Sequence, residues 1–144
     1  MNKSIASILE SKGSAIHSVS PDATVGDAVA MMAAKGIGAV LVIEQGRLLG
    51  IVSAKDYGTR VILRGRTGKD VLVREIMTSP LVTVGPDVNV TDGMQIMVTK
   101  KIRHLPILEN GELVGVVTLA DLVRVLLADQ EHKIDQLMTY VGHK

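Results

Sequence analysis

The sequence predicts a mixed α/β (α+β) fold built twice over, and three observations carry that prediction. Positions 65 apart match without a gap: Pro21/Pro86, Asp22/Asp87, Val25/Val90, Asp27/Asp92, Met32/Met97, Ile37/Ile102, Gly46/Gly111, Leu48/Leu113, Gly50/Gly115 and Asp56/Asp121. This spacing marks an internal duplication. Each copy holds an apolar run, Val40–Ile43 or Leu105–Leu108, then a turn dipeptide, Gln45-Gly46 or Asn110-Gly111, then a second apolar run. That is the pattern of a hairpin. Apolar residues at helical spacing flank each hairpin behind capping residues.

Taken in order, residues 4–12 predict a short helix with Ile5, Ile8 and Leu9 on one side and Gly13 at its end. His17–Val19 predicts a short strand. Thr24 and Asp27 frame a helix start, Val25, Ala28, Val29 and Met32 continue it, and Gly36 closes it. Val40–Ile43 is unbroken apolar sequence, as in a strand buried on both faces. Leu48–Val52 returns from the turn, and a helix follows from Ala54 to Leu63. Arg64–Asp70 lacks periodicity and is expected to be a mobile linker between the halves. Val71–Met77 predicts a short helix, Leu81–Val84 a strand, and Asn89 the cap of a helix reaching Lys101. Leu105–Leu108 and Leu113–Val117 repeat the hairpin. A last helix begins after Thr118, with Leu119, Leu122, Val123, Leu126 and Leu127 on one face. A smaller stripe of Ile134, Leu137, Met138 and Val141 continues it.

Composition narrows the function. Of 144 residues, 47% are hydrophobic and 22% charged, with no Phe, Trp or Cys. Such a chain can bury a core, but it has neither thiolate chemistry nor aromatic platforms for nucleobases. The formal net charge of +1 gives no large footprint for DNA. No apolar run is long enough to span a bilayer and the N-terminus lacks a signal-peptide core, so a cytoplasmic protein is expected. His17, His104, His132 and His143 are scattered without a metal-ligand spacing. No nucleophile–base pair stands out, so an enzyme is not expected.

The duplicated segments Gly50–Asp56 and Gly115–Asp121 share the form Gly-x-x-Ser/Thr-x-x-Asp. With Ile76–Val84 (Ile-Met-Thr-Ser-Pro-Leu-Val-Thr-Val) and Lys101–Pro106 (Lys-Ile-Arg-His-Leu-Pro), they make the chain resemble the tandem CBS-domain pair, or Bateman module, of the stand-alone bacterial type, from about Ile5 to Leu127. The first half departs from the pattern: its lead-in, Ile8–Ile16, is longer and lacks the Met-Thr-x-Pro form, and Gly38-Ala39 stands where the second half has Arg103-His104.

The resemblance implies two intertwined repeats, each a small mixed sheet with helices, related by a pseudo-twofold axis. Repeat 1 with its N-terminal helix would span 1–66, and repeat 2 with its C-terminal helix 67–144. It also implies a regulatory module that binds adenosine-containing ligands, AMP foremost, with ADP, ATP, NAD(H) or S-adenosylmethionine as the others, in clefts between the repeats. Conformational change would carry the signal, in a homodimer, to a downstream protein partner, with no membrane and no nucleic acid involved. The apolar residues Met31, Met32, Met94 and Met97 and the C-terminal stripe are candidate subunit contacts.

Within that resemblance, a first nucleotide site would use Ile51, Ser53, Lys55, Asp56, Thr78, Val82, Thr83, Ile102, Arg103 and His104. A second would use Val116, Thr118, Asp121, His17, Ser18, Ile37, Gly38 and Ala39. Each Asp would accept hydrogen bonds from ribose hydroxyls, and the Ser or Thr and the helix-start N–H groups would face phosphate. Lys55, Arg103 and His104 converge on the Asp56 set if the repeats cross in this way, so that set is expected to bind phosphorylated ligands more tightly. Arg124 could serve the Asp121 set. Two plainer readings stay open: Ser53-x-x-Asp56 and Thr118-x-x-Asp121 as helix caps alone, and the chain as a ligand-free interaction scaffold.

Overall fold

The strands and helices of this computed structural model, which describes residues 3–13 and 15–140, assemble into two compact units. One is continuous, Ile16–Val82; the other is split, Met1–Ala15 with Thr83–Lys144. Ser14, Val141 and His143 lie outside the described residues.

In the continuous unit, β1 (Ser18–Val19) runs parallel to β2 (Ala39–Glu44), and β2 runs antiparallel to β3 (Arg47–Ser53) with a bulge at Val42/Ile43. Gln45 and Gly46 join β2 to β3 with φ of 50° and 76°, the two positive values that a tight hairpin turn needs. α2 (Val25–Lys35) starts at Thr24, whose hydroxyl accepts the Asp27 N–H at 3.1 Å, and stops at Gly36 in the left-handed region. Val25, Ala28 and Met32 of α2 pack with Val40, Val42 and Val52 of the sheet.

Two expectations change here. α3 is Ala54–Arg60, shorter than the helix expected to Leu63. Val61 is drawn fully into the core, and a single 3₁₀ turn, Ile62–Arg64, follows. The Arg64–Asp70 stretch lies inside the unit rather than between the units. Its Gly68 carbonyl accepts the Gly26 N–H at 3.0 Å, and a Cβ at Gly68 would lie 3.0 Å from the Gly26 backbone. Close approach of two backbones docks the stretch onto the start of α2.

α4 (Val73–Ile76) then completes the same core with Val71, Val73 and Ile76. It is tied to the start of α2 by Val25 N–H to Val71 O at 2.9 Å and Val73 N–H to Ala23 O at 2.8 Å. Thr78 exchanges backbone hydrogen bonds with Ile51 of β3, at 2.9 and 3.2 Å.

The split unit repeats this plan. β4 (His104–Glu109) and β5 (Glu112–Thr118) pair antiparallel, with a bulge at Ile107/Leu108 and a turn at Asn110 and Gly111, φ 53° and 81°. α5 (Val90–Lys100) is capped by the Asn89 side chain, which accepts the Asp92 N–H at 2.8 Å, and ends at Lys101 in the left-handed region, where α2 has a glycine. The strand expected at Leu81–Val84 shrinks to one bridge, Val84 beside Ile107. The prolines at 80 and 86 bracket it and cannot donate to a ladder.

α1 (Ile5–Lys12) belongs to this unit: Ile5 N–H donates to Val88 O and Val90 N–H to Lys3 O, both at 2.8 Å. α6 (Leu119–Tyr140) runs 22 residues without a break. Ile5, Ile8, Val90, Met97, Leu105, Ile107, Val117 and Leu122 are the buried hydrophobic side chains among its unit's described residues. Met97 here and Met32 in the continuous unit are therefore core, as their helical spacing suggests, and so are poor candidates for subunit contacts; Met31 and Met94 are half-buried.

The compact units thus cut the chain differently from the repeats 1–66 and 67–144. The lead-in of the second repeat, Val71–Thr78, packs on the strands of the first, and the lead-in of the first, Lys3–Lys12, packs on those of the second. Glycines record both dockings. A Cβ at Gly50 would meet the Thr78 carbonyl oxygen at 2.8 Å and Met77 Sδ at 2.9 Å, and one at Gly115 would meet Leu9 Cδ2 at 2.8 Å.

Candidate functional site

The two Ser/Thr-x-x-Asp segments are strand–helix junctions. β3 delivers Ser53 in extended conformation, and α3 begins at the next residue. The Ser53 hydroxyl accepts the Asp56 N–H at 3.2 Å, while Asp56 Oδ2 accepts the Ser53 N–H at 2.9 Å and the Ser53 O–H at 3.0 Å. This is a reciprocal cap, favoured because it satisfies helix-start donors that have no partner within the helix. Asp56 Oδ1 is 3.8 Å from Arg60 Nε, and Arg60 donates onward to Ile76 O at 2.8 Å.

Thr118 and Asp121 repeat the cap: Asp121 Oδ2 accepts the Thr118 N–H at 2.8 Å, and Thr118 Oγ1 accepts the Asp121 N–H at 3.1 Å. Here the carboxylate also meets cations. Lys12 Nζ donates to Asp121 Oδ2 at 2.6 Å and to Val116 O at 3.1 Å, and Arg124 Nη1 donates to Asp121 Oδ1 at 3.2 Å.

Burial works against the Asp121 charge, but the hydrogen bonds from Lys12 and the Thr118 N–H outweigh it and hold the carboxyl below its ordinary pKa. Burial pushes His104 the other way from a charged imidazole. Its pKa falls below the ordinary 6.5, and the positive charges of Lys12 and Arg103 add to the fall against the opposing pull of Asp121.

The sheet register groups the expected site residues. In the continuous unit Ala39 faces Ser53, and the Ala54 N–H donates to Gly38 O at 3.0 Å. Ser18 faces Leu41, whose N–H donates to His17 O at 3.0 Å. Ile37, Ile51, Lys55, Thr78 and Val82 belong to the same unit. In the split unit His104 faces Thr118, and the Leu119 N–H donates to Arg103 O at 2.9 Å. Thr83, Ile102 and Val116 belong there too.

The partners shown for Arg103 and His104 are therefore Leu119 and Thr118, and those for Gly38 and Ala39 are Ala54 and Ser53. The expected sets paired these residues with the other motif. The physical reason is that the first residue of each hairpin's first strand and the last residue of its second lie side by side in one antiparallel ladder. Of the cations expected around Asp56, Lys55 belongs to its unit, and Arg103 and His104 belong to the unit of Asp121.

Lys12 is absent from both expected sets. Leu9 and Met77 occupy matching positions against Gly115 and Gly50, and three residues beyond each stand Lys12 and Pro80. Aligning the two lead-ins by these apolar anchors, rather than by the offset of 65, would have pointed to Lys12. Among the described residues no group of three or more His, Asp or Glu side chains could hold a metal ion. No helix among them is long and apolar enough to cross a membrane.

The chain is similar to known proteins in sequence and fold. The family model for the CBS domain matches residues 12–57 and 73–128. The mitochondrial CBS domain-containing protein CBSX3 of Arabidopsis thaliana is 33% identical over 146 residues, which cover 95% of this chain and 71% of that protein. The CBS domain-containing protein YhcV of Bacillus subtilis is 35% identical over 118 residues, 82% of this chain and 84% of its own. Among solved structures, a Burkholderia ambifaria MC40-6 protein described as acting in signal transduction, with CBS domains, matches with a TM-score of 0.86 at 38% identity. That match covers 89% of this chain and 96% of the other.

Proposed function

This chain belongs to the CBS-domain family, and on that premise we propose that it is a regulatory module whose two strand–helix junctions bind an adenosine-containing ligand. The observation that carries the reading is the division of labour within each Asp. Oδ2 of Asp56 and of Asp121 completes the helix cap. Oδ1 meets, among the described residues, an arginine whose side chain is about half exposed or more. Exposed ion pairs of this kind are weak, so each motif keeps one carboxylate oxygen that a ribose hydroxyl can claim without dismantling the cap. The plainer cap reading and the ligand reading are thus compatible.

AMP, ADP, ATP, NAD(H) and S-adenosylmethionine are the ligand class, with AMP first. Family membership supports regulation over catalysis, and the output follows if the ligand binds one conformation better than another. Pairing into a homodimer belongs to the same proposal. Leu127, Ile134, Leu137 and Met138 are exposed along α6 and share one helical stripe. Leu137→Glu is expected to shift a dimer to monomer in light scattering.

The test is direct binding by calorimetry and thermal shift with that ligand panel, on the native chain and on Asp56→Asn and Asp121→Asn. Ligand at about 100 times its dissociation constant should add about 2.7 kcal/mol of stability. Loss of that shift in one variant locates the site. No heat and no shift with any member of the panel would reject nucleotide binding and favour an interaction scaffold.

A further inference from the structure

Lys12 changes what the Asp121 junction can accept. Its ammonium sits 2.6 Å from Asp121 Oδ2, with the Lys12 side chain 35% exposed and that of Asp121 only 11%. The pair is held together by more than its two charges, since the same ammonium also donates to Val116 O at 3.1 Å. A ribose that sets one hydroxyl on Asp121 Oδ1 brings its second hydroxyl to Oδ2, where it competes with Lys12. Once displaced, the ammonium loses a short charge-assisted hydrogen bond, and a ligand that brings its own anion restores one.

A neutral nucleoside supplies hydroxyls and no charge. A phosphorylated ligand supplies both, and a lysine's flexible four-carbon stem lets its head follow the phosphate. The surroundings favour the same outcome. Arg103 adjoins the helix start through its carbonyl, and His104 faces Thr118 across the ladder. The low pKa of His104, caused after burial by Lys12 and Arg103, reports positive potential there. Among the described residues the Asp56 junction shows no such lysine: Pro80 stands where the first lead-in has Lys12, and Asp56 Oδ1 has Arg60 at 3.8 Å from its own helix.

We propose that Lys12 makes the Thr118/Asp121 junction select phosphorylated adenosine ligands over the neutral nucleoside, by passing from the Asp121 carboxylate to the ligand's phosphate as the ribose binds. The proposal rests on the nucleotide-binding reading above. It turns the charge asymmetry expected from the sequence around, since the cation-rich junction is that of Asp121.

The experiment measures AMP and adenosine affinities by calorimetry in a full-length Asp56→Asn background, with Lys12 native, Lys12→Met and Lys12→Arg. With Lys12 in place, AMP should bind at least about tenfold more tightly than adenosine, the scale of one charge-assisted hydrogen bond. Lys12→Met should weaken AMP by about tenfold and leave adenosine equal or tighter, so that the ratio collapses. Lys12→Arg should restore most of it.

A ratio unchanged in Lys12→Met, or equal weakening of both ligands with normal circular dichroism, overturns the proposal and reduces Lys12 to a tether for α1. Absence of binding by both ligands in every variant and in the native chain overturns the nucleotide reading itself, and this proposal with it.

Discussion

Replacing Gly50 by alanine should cost more stability than the same change at Gly115, although the two residues hold the same place in the duplicated motif. At Gly50 the new methyl would lie 2.8 Å from the Thr78 carbonyl oxygen and 2.9 Å from Met77 Sδ. A comfortable carbon–oxygen contact needs about 3.3 Å or more, so the Thr78 backbone has to retreat by roughly half an ångström. That backbone is fixed by its two hydrogen bonds with Ile51, at 2.9 and 3.2 Å. Overpacking costs about 1–3 kcal/mol, and weakening the two hydrogen bonds adds up to about 1 kcal/mol. The stiffer unfolded chain returns about 0.4–1 kcal/mol. The net loss is about 2 kcal/mol.

At Gly115 the obstacle is Leu9 Cδ2 at 2.8 Å and Cδ1 at 3.3 Å. This is the far end of a side chain on α1 that can rotate, so the net loss should stay below about 1 kcal/mol. Urea unfolding followed by far-UV circular dichroism suits a chain without Trp. A 2 kcal/mol loss lowers the midpoint by about 1 M at an ordinary urea slope. If Gly115→Ala proves as costly as Gly50→Ala, the account of these glycines as docking surfaces of unequal stiffness is wrong.

Further outcomes follow from the same geometry. Lys101 ends α5 with φ 57° where α2 ends in a glycine; Lys101→Gly should therefore stabilise the chain by up to about 1 kcal/mol, read as a raised urea midpoint. Ser53→Ala removes the hydroxyl that caps α3 and should cost about 1 kcal/mol in the same assay.

His104 has its folded pKa below the ordinary 6.5. Between the two values the unfolded chain holds a proton that the folded chain does not, so stability rises with pH in that interval. Acidifying from pH 7 through 6.5 should lower the melting temperature, and the loss should level off once the folded imidazole also protonates. His104→Gln should flatten that part of the profile; an unaltered slope would mean that another group titrates there.

Much of this protein is local and therefore legible from its sequence. The hairpin turns are fixed by Gln45-Gly46 and Asn110-Gly111, which tolerate the positive φ required of them. The helix starts at Thr24, Ser53 and Asn89 are fixed by side chains that bond an N–H three residues on. The buried strand Ala39–Glu44 is announced by its own apolar run. The duplication and its Asp motifs need only counting. Local signals failed where a long-range contact outweighed them: Val61 left its helix for the core, and Arg64–Asp70, composed like a linker, was held by Gly26.

The sequence by itself determined that the chain is a duplicated α/β fold with two capped Asp junctions. Only the tertiary structure decided which lead-in completes which unit, and hence which charges surround each Asp. The physical reason is separation along the chain. A cap joins residues three apart and is written in local sequence, whereas Lys12 meets Asp121 across 109 residues, a contact that exists only because α1 packs on β5.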